Sequence, residues 1–274
     1  MREVISCCQA GTSHFYSMSS NLRRALNTLV AALLFFLANA ISRAQSVNEL
    51  LEKGAVCDRK FEPNKALSSY LAAEKLEPQN PRILVPIARQ YRYLMTDALT
   101  IDQKLRLGHI AEDYSARAAA AGPYDSEAQL ATAITLGKML PYLPTKEQVA
   151  ASPRIRESVD KALALDPRND TAWHILGRWN RVLADVNGLK RALAGVFYGN
   201  LPKGSYEEAE RDMRMALELN PHRLMHYVEL GRIYADMGRK EDARVYINKG
   251  LAMPNSEKDD PETKQRGRET LAKL

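Results

Sequence analysis

The chain has 274 residues, 45% of them hydrophobic and 26% charged, with a formal net charge of +6. That balance excludes a disordered polymer and leaves room for one extended repeat domain or two ordinary ones. Arg2, Arg23, Arg24 and Arg43 against Glu3 lie in residues 1–44, so the remainder carries only +3, too little for charge alone to point to nucleic acid or a membrane surface.

In chain order, the first element is an apolar run from Leu29 to Ala38, preceded by Arg23-Arg24. Ala38-Asn-Ala40 and Ser42-Arg-Ala44 follow, and both place small side chains where a signal peptidase needs them. The run is short of the roughly 20 apolar residues that a membrane span needs. These features predict a signal peptide over residues 1–44, a domain over residues 45–274, and a periplasmic or secreted mature protein. An uncleaved anchor over residues 25–41 is the alternative, and translation can begin at Met1 or at Met18. Cleavage removes Cys7 and Cys8 and leaves Cys57 alone, which builds neither a disulfide nor a metal cage and reads as a core thiol.

From Val47 onward one spacing recurs. The first unit, Val47 to Pro78, carries Leu50, Gly54 and Cys57, then Ala66-x3-Tyr70-x2-Ala73. The second starts at Pro81 with Leu84, Ile87, Ala88 and Tyr91 and continues at Ala111, Ser115 and Ala118, with 11 more residues between its halves than the first. The third, Ser126 to Pro167, is the weakest match: its halves read as helices from Ala128 to Leu140 and Ile155 to Leu165, with Pro141, Pro144 and Pro153 breaking the stretch between. The fourth, Asp170 to Pro221, joins Trp173-x2-Leu176-Gly177 to Ala209-x3-Met213-x2-Ala216 across an insert of 20 extra residues. In the fifth, Tyr227-x2-Leu230-Gly231-x2-Tyr234 precedes Ala243-x3-Ile247-x2-Gly250 at the standard distance. Large residues on one face and small ones at the crossing form the tetratricopeptide (TPR) signature. The predicted fold is therefore all-α: a TPR-like helix-turn-helix solenoid of about five repeats with enlarged loops, and a polar capping helix from Asp260-Pro261-Glu262 to Leu274.

The stretch Ala162 to Trp179, ending His174-Ile-Leu-Gly-Arg-Trp179, is more specific than a generic repeat. With the long insert, Tyr206-Glu-Glu-Ala209, Gly231-Arg-Ile-Tyr234 and the closing Glu269-Thr-Leu-Ala-Lys-Leu274, it resembles the regulator of microtubule dynamics family over residues 47–274. The resemblance implies a helical-repeat fold, association with microtubules and, in some members, a place at organelle membrane contacts. The export signal departs from that picture and suggests a bacterial relative sharing the scaffold.

No catalytic constellation emerges: there is no phosphate loop, no Gly-x-Ser-x-Gly elbow and no His-Glu-x-x-His. No cofactor is expected and the chain does not read as an enzyme. His222 and His226 lack further ligands for zinc and read as a solvated helix start. Trp173 reads as a core residue, and His174 as a packing or hydrogen-bonding side chain turned toward the concave surface.

The candidate binding residues are arginines. Directly after the small crossing residue, and three residues on, a TPR first helix faces the inner groove. Those positions hold Arg89 and Arg92, Arg178 and Arg181, and Arg232. Guanidinium forks suit carboxylate or phosphate, whereas internal pairing with Asp or Glu neutralises them. The expected ligand-binding set is Arg89, Arg92, His174, Arg178, Arg181 and Arg232. The predicted function is a non-enzymatic interaction module whose partner is a protein or peptide of acidic character, with an anionic lipid as a further candidate and no nucleic acid. The alternative is a lipid or small-ligand carrier in which Leu189, Leu193, Val196, Phe197 and Tyr198 fold over the groove as a lid.

Overall fold

The computed structural model describes residues 20–186 and 202–274. Within them the chain forms α1 (Ser20–Arg59), α2 (Pro63–Leu76), α3 (Pro81–Asp97), α4 (Ile101–Ala121), α5 (Ser126–Met139), α6 (Thr145–Leu165), α7 (Asp170–Ala184), α8 (Tyr206–Leu219), α9 (Leu224–Asp236), α10 (Lys240–Ala252) and α11 (Asp260–Leu271). A 3₁₀ turn, Leu140–Tyr142, joins α5 to α6. The chain divides into two compact units, residues 1–46 and residues 47–274. In the first, Leu29, Val30, Leu33 and Leu34 are exposed. Among the described residues no helix is long and apolar enough to cross a membrane.

Local sequence sets the helix starts. Asn80, Thr100, Asp125, Asn169 and Ser205 each accept a backbone N–H from the first turn of the helix that follows. These bonds satisfy donors that the helix itself leaves open. Thr100 and Gln103 cap each other reciprocally, which starts α4 three residues after α3 ends. The extra length of the second unit therefore lies in two long helices, of 17 and 21 residues, and not in a loop.

The third unit departs from the sequence reading in one respect. Pro153 does not break the chain: α6 runs through it from Thr145 to Leu165. Burial of Ala151, Ser152 and Ile155 on either side outweighs the lost backbone bond. The Trp179 indole N–H reinforces this by donating to the Ser152 carbonyl and hydroxyl, both at 3.1 Å. Pro86 is likewise carried inside α3, flanked by buried Leu84 and Ile87.

Each helix pair buries its apolar face on its neighbours. Val47, Leu67, Tyr70, Ile83 and Ile87 form one core cluster; Leu130, Ile155, Val159, Leu176 and Trp179 form a second; Met213, Leu230, Ile233 and Tyr234 form a third. Cys57 packs half-buried against the first. Successive contacts α3–α5, α5–α7 and α7–α9 make these helices an inner layer, with α4, α6, α8 and α10 outside it. This is a solenoid in which each repeat rests on its neighbours. α11 packs on α9 and α10 and closes the last apolar face around buried Thr263 and Gly267.

In the fourth and fifth repeats the two halves approach closely because the crossing residue has no side chain. A Cβ on Gly231 would lie 2.9 Å from the Ile247 backbone nitrogen and 3.0 Å from the Ala243 carbonyl. At Gly177 the same atom would lie 3.1 Å from the Ala209 carbonyl. Gly137 on α5 has no neighbour within 4 Å. Gly231→Ala is therefore expected to lower stability by about 1–3 kcal/mol through forced helix displacement. Gly137→Ala should raise it by about 0.5–1 kcal/mol through helix propensity. Urea unfolding of the two variants checks the pair, and equal effects would remove the crossing argument.

Candidate functional site

The inner layer brings the predicted arginines into reach of acids from adjacent helices. At the α7–α9 contact the centre is Glu229, whose side chain is only 4% exposed. Arg181 Nε donates to its Oε1 at 2.8 Å and Arg232 Nη1 to its Oε2 at 2.8 Å. Arg181 also donates to Asp236 at 2.7 Å. Burial would raise the Glu229 carboxyl, but Arg181, Arg232 and Arg178 together hold it well below the usual range.

Arg178 stands apart. Among the described residues its one ionic contact is Nε to Glu229 Oε1 at 3.9 Å, too long for a hydrogen bond, and its Nε has no partner. Its side chain is 36% exposed, so the end of the fork reaches solvent. Burial, and then the neighbouring Arg266, Arg232 and Arg181, lower its pKa against the opposing pull of Glu229. A guanidinium does not deprotonate in water, so the cluster retains positive charge at Arg178.

Elsewhere the predicted residues are committed internally. Arg89 reaches across to Asp58 at 2.5 Å. Arg92 is buried, donates to the Thr135 hydroxyl at 3.0 Å, and has no carboxylate within ion-pair distance among the described residues. Burial and Arg89 push its pKa down to about 10. The two point to different partners, so they form no common anion fork.

His174 lies in the interior and not on the concave surface. Its Nδ1 sits 3.1 Å from Nδ1 of His226, whose Nε2 is 2.9 Å from Asp170. Asp170 also takes Arg223 at 2.8 Å, and Arg223 in turn takes Glu257. The reading of His226 as part of a solvated helix start is corrected here: it is fully buried, because α9 begins at Leu224 and turns it into the α7 interface, while His222 stays outside in solvent. One nitrogen of the pair must accept at the shared contact, so the imidazoles do not both carry charge. Burial, then His226 and Arg178, hold His174 well below the ordinary histidine value. Burial also lowers His226, opposed by its bond to Asp170. Among the described residues no cluster of three or more His, Cys, Asp or Glu could hold a metal.

The sequence reading did not include Glu229, Lys138 or Arg266. Glu229 alone carried a signal, as a single acid inside the apolar run Tyr227 to Gly231, three residues before Arg232. Lys138 and Arg266 enter only because α11 folds back toward α5 and α7, which no local spacing encodes. The lid residues Leu189, Leu193, Val196, Phe197 and Tyr198 lie outside the described residues.

Residues 44–274 match the family model described as Regulator of microtubule dynamics protein 1-3. The Caenorhabditis elegans protein named Regulator of microtubule dynamics protein 1 is 24% identical over 212 residues, covering 77% of this chain and 94% of the relative. The mouse protein of the same name is 26% identical over 240 residues, covering 86% and 78%. Among solved structures, a thermophilic TPR protein of Thermus thermophilus superposes with a TM-score of 0.58 at 18% identity, covering 82% of this chain and 99% of that one. A Pseudomonas aeruginosa pilF structure gives 0.51 at 14% identity, with 85% and 90% covered. Both likenesses concern the fold.

Two outcomes test the electrostatics. The histidines are held below their unfolded value of about 6.5, so the unfolded state binds more protons and stability is expected to fall as pH drops below about 6.5. A second loss should follow below about pH 4.5 as Glu229 and Asp170 protonate, the latter held down to about 2 by His226 and Arg223 against the raising effect of burial. Urea unfolding from pH 3 to 8 reads both, and a flat profile from pH 5 to 7 would rule out the neutral histidine pair. Glu229→Gln is expected to cost about 3–5 kcal/mol in urea unfolding, because it removes the carboxylate that three guanidinium groups face and leaves Arg178 and Arg232 without one among the described residues.

Proposed function

Because this chain belongs to the regulator of microtubule dynamics protein 1-3 family, we propose that it is a non-enzymatic protein-interaction module whose partner docks on the concave face of the solenoid. The family and the TPR fold support a protein or peptide as the partner class. The observation that carries the acidic character of that partner is Arg178, a part-exposed guanidinium on the inner layer with no carboxylate nearer than 3.9 Å among the described residues. Arg181 and Arg232 are spent on Glu229 and act as its support, fixing the helices that present Arg178. An incoming carboxylate at Arg178 would meet the fork end-on and relieve the excess positive charge around Glu229.

Microtubule association is a further part of this proposal, supported by the names that the relatives carry. Export is a separate proposal, supported by Arg23-Arg24, the Leu29–Ala38 run and the two small-residue sites after it. Intact-mass measurement of the protein purified from its own cell reads the mature N-terminus: a start at Gln45 or Ile41 supports export, whereas retention of residues 25–41 favours an anchor.

The binding test uses the full chain and a fluorescein-labelled decaglutamate peptide, read by anisotropy. Arg178→Glu is expected to weaken binding at least tenfold while Arg178→Lys retains most of it. Equal affinity of wild type and Arg178→Glu would overturn the acidic-partner reading. Vesicles of phosphatidylserine and phosphatidylcholine form a second arm, in which capture of vesicles without peptide binding would move the partner from protein to lipid.

A further inference from the structure

The segment between α10 and α11 runs back along the inner layer. Glu257 pairs with Arg223 at 2.7 Å. Lys258 pairs with Asp97 at the end of α3 at 2.8 Å. Asp259 accepts from the Thr96 hydroxyl at 2.7 Å and from Lys138 on α5 at 2.8 Å. Glu262 lies 3.8 Å from the same ammonium. Helices α3 and α5 and the start of α9 thus meet one short acidic stretch, Glu257-Lys-Asp-Asp-Pro-Glu262. Its shape is locally set: Asp260, 3% exposed, accepts the backbone N–H groups of Ser256 and Glu257, and Lys264 donates to the Met253 carbonyl.

These contacts are of two kinds. Asp260, Thr263 and Gly267 are buried and belong to the cap that α11 makes on α9. Asp259 and Glu262 are 38% and 44% exposed; Asp259 reaches away from that cap to α3 and α5, and Glu262, which accepts from Arg266 of its own helix at 2.8 Å, lies beside Lys138 of α5. The cap does not require them. Part-exposed ion pairs of this sort each contribute little, about 0–1 kcal/mol, and exchange readily for equivalent pairs.

We propose that residues 257–262 are a resident occupant of the concave face, held by the chemistry that an acidic extended segment of a partner would use, so that partner binding displaces Asp259 and Glu262 from Thr96 and Lys138. The inference rests on the reading of the concave face as the docking surface for an acidic protein segment. It adds the partner's route along that face: carboxylates at Lys138 on α5 and at Arg178 on α7. The free chain is in this sense partly closed by its own C-terminal segment.

The test is decaglutamate binding to the full chain carrying Asp259→Asn and Glu262→Gln, which keep side-chain size and leave the buried Asp260, Thr263 and Gly267 of the α11 cap unchanged. Affinity is expected to rise on the order of tenfold over wild type. Thr96→Val, which loosens the segment from the α3 side and alters no charge, should shift affinity in the same direction by a smaller factor, and covers the case in which the double variant folds poorly. Equal affinity of wild type and both variants would overturn the resident-occupant inference while binding itself, with its dependence on Arg178, leaves the acidic-partner reading standing. If none of the chains binds, the acidic-partner reading falls, and this inference with it.

Discussion

Close approach of two helices at a missing side chain is the constraint on which the rest of this molecule depends. At Gly177 and Gly231 the backbone of the facing helix occupies the space a Cβ would need. That contact fixes the rotation of α7 and α9 about their own axes. Once it is fixed, the residues one and four positions further on have no choice of direction. Arg178, Arg181 and Arg232 are delivered to the inner layer by an apolar packing event, not by attraction to one another.

Delivering several guanidinium groups to one place creates an electrostatic problem, and Glu229 is the answer. It is buried at a depth where an unpaired carboxylate would be strongly disfavoured, and it takes one oxygen to each of two arginines. The histidine pair solves a related problem by staying neutral. Asp170, His226 and His174 make a chain from the rim of the inner layer into its interior, anchored outside by Arg223. Both networks tie α7 to α9 and so give the fourth and fifth repeats a charged and hydrogen-bonded contact in the solenoid interior.

The solenoid was readable from sequence because each of its parts is local. Small residues at Gly54, Gly177 and Gly231, large ones four positions earlier at Leu50, Trp173 and Tyr227, and capping residues such as Thr100, Asn169 and Ser205 all lie within one repeat. The arginines could be placed on the inner layer by the same frame. Their occupation could not, since Asp58 is 31 residues from Arg89 and Glu229 is 48 from Arg181. Pro153 misled the reading because a proline's local cost is visible in sequence, whereas the burial of Ala151 and Ile155 that outweighs it is tertiary. His226 misled it because a helix start reads as exposed unless one knows that a second helix covers it.

The tie between Thr96 and Asp259 has a consequence for folding. It joins positions 163 apart and, with Lys258–Asp97 and Lys138–Asp259, skips across a chain whose helix-to-helix contacts otherwise run from each repeat to the next. An open solenoid behaves as a one-dimensional array in which end repeats can fray alone. Here the last helix is fastened back to the second and third repeats, so the array is looped onto itself. Loosening the C-terminal end then loosens a contact at the second and third repeats, so fraying of the last repeat is felt beyond its nearest neighbour. Closing a loop across 163 positions carries an entropic cost of ordering, which the ties of the C-terminal segment to Thr96, Asp97 and Lys138 offset.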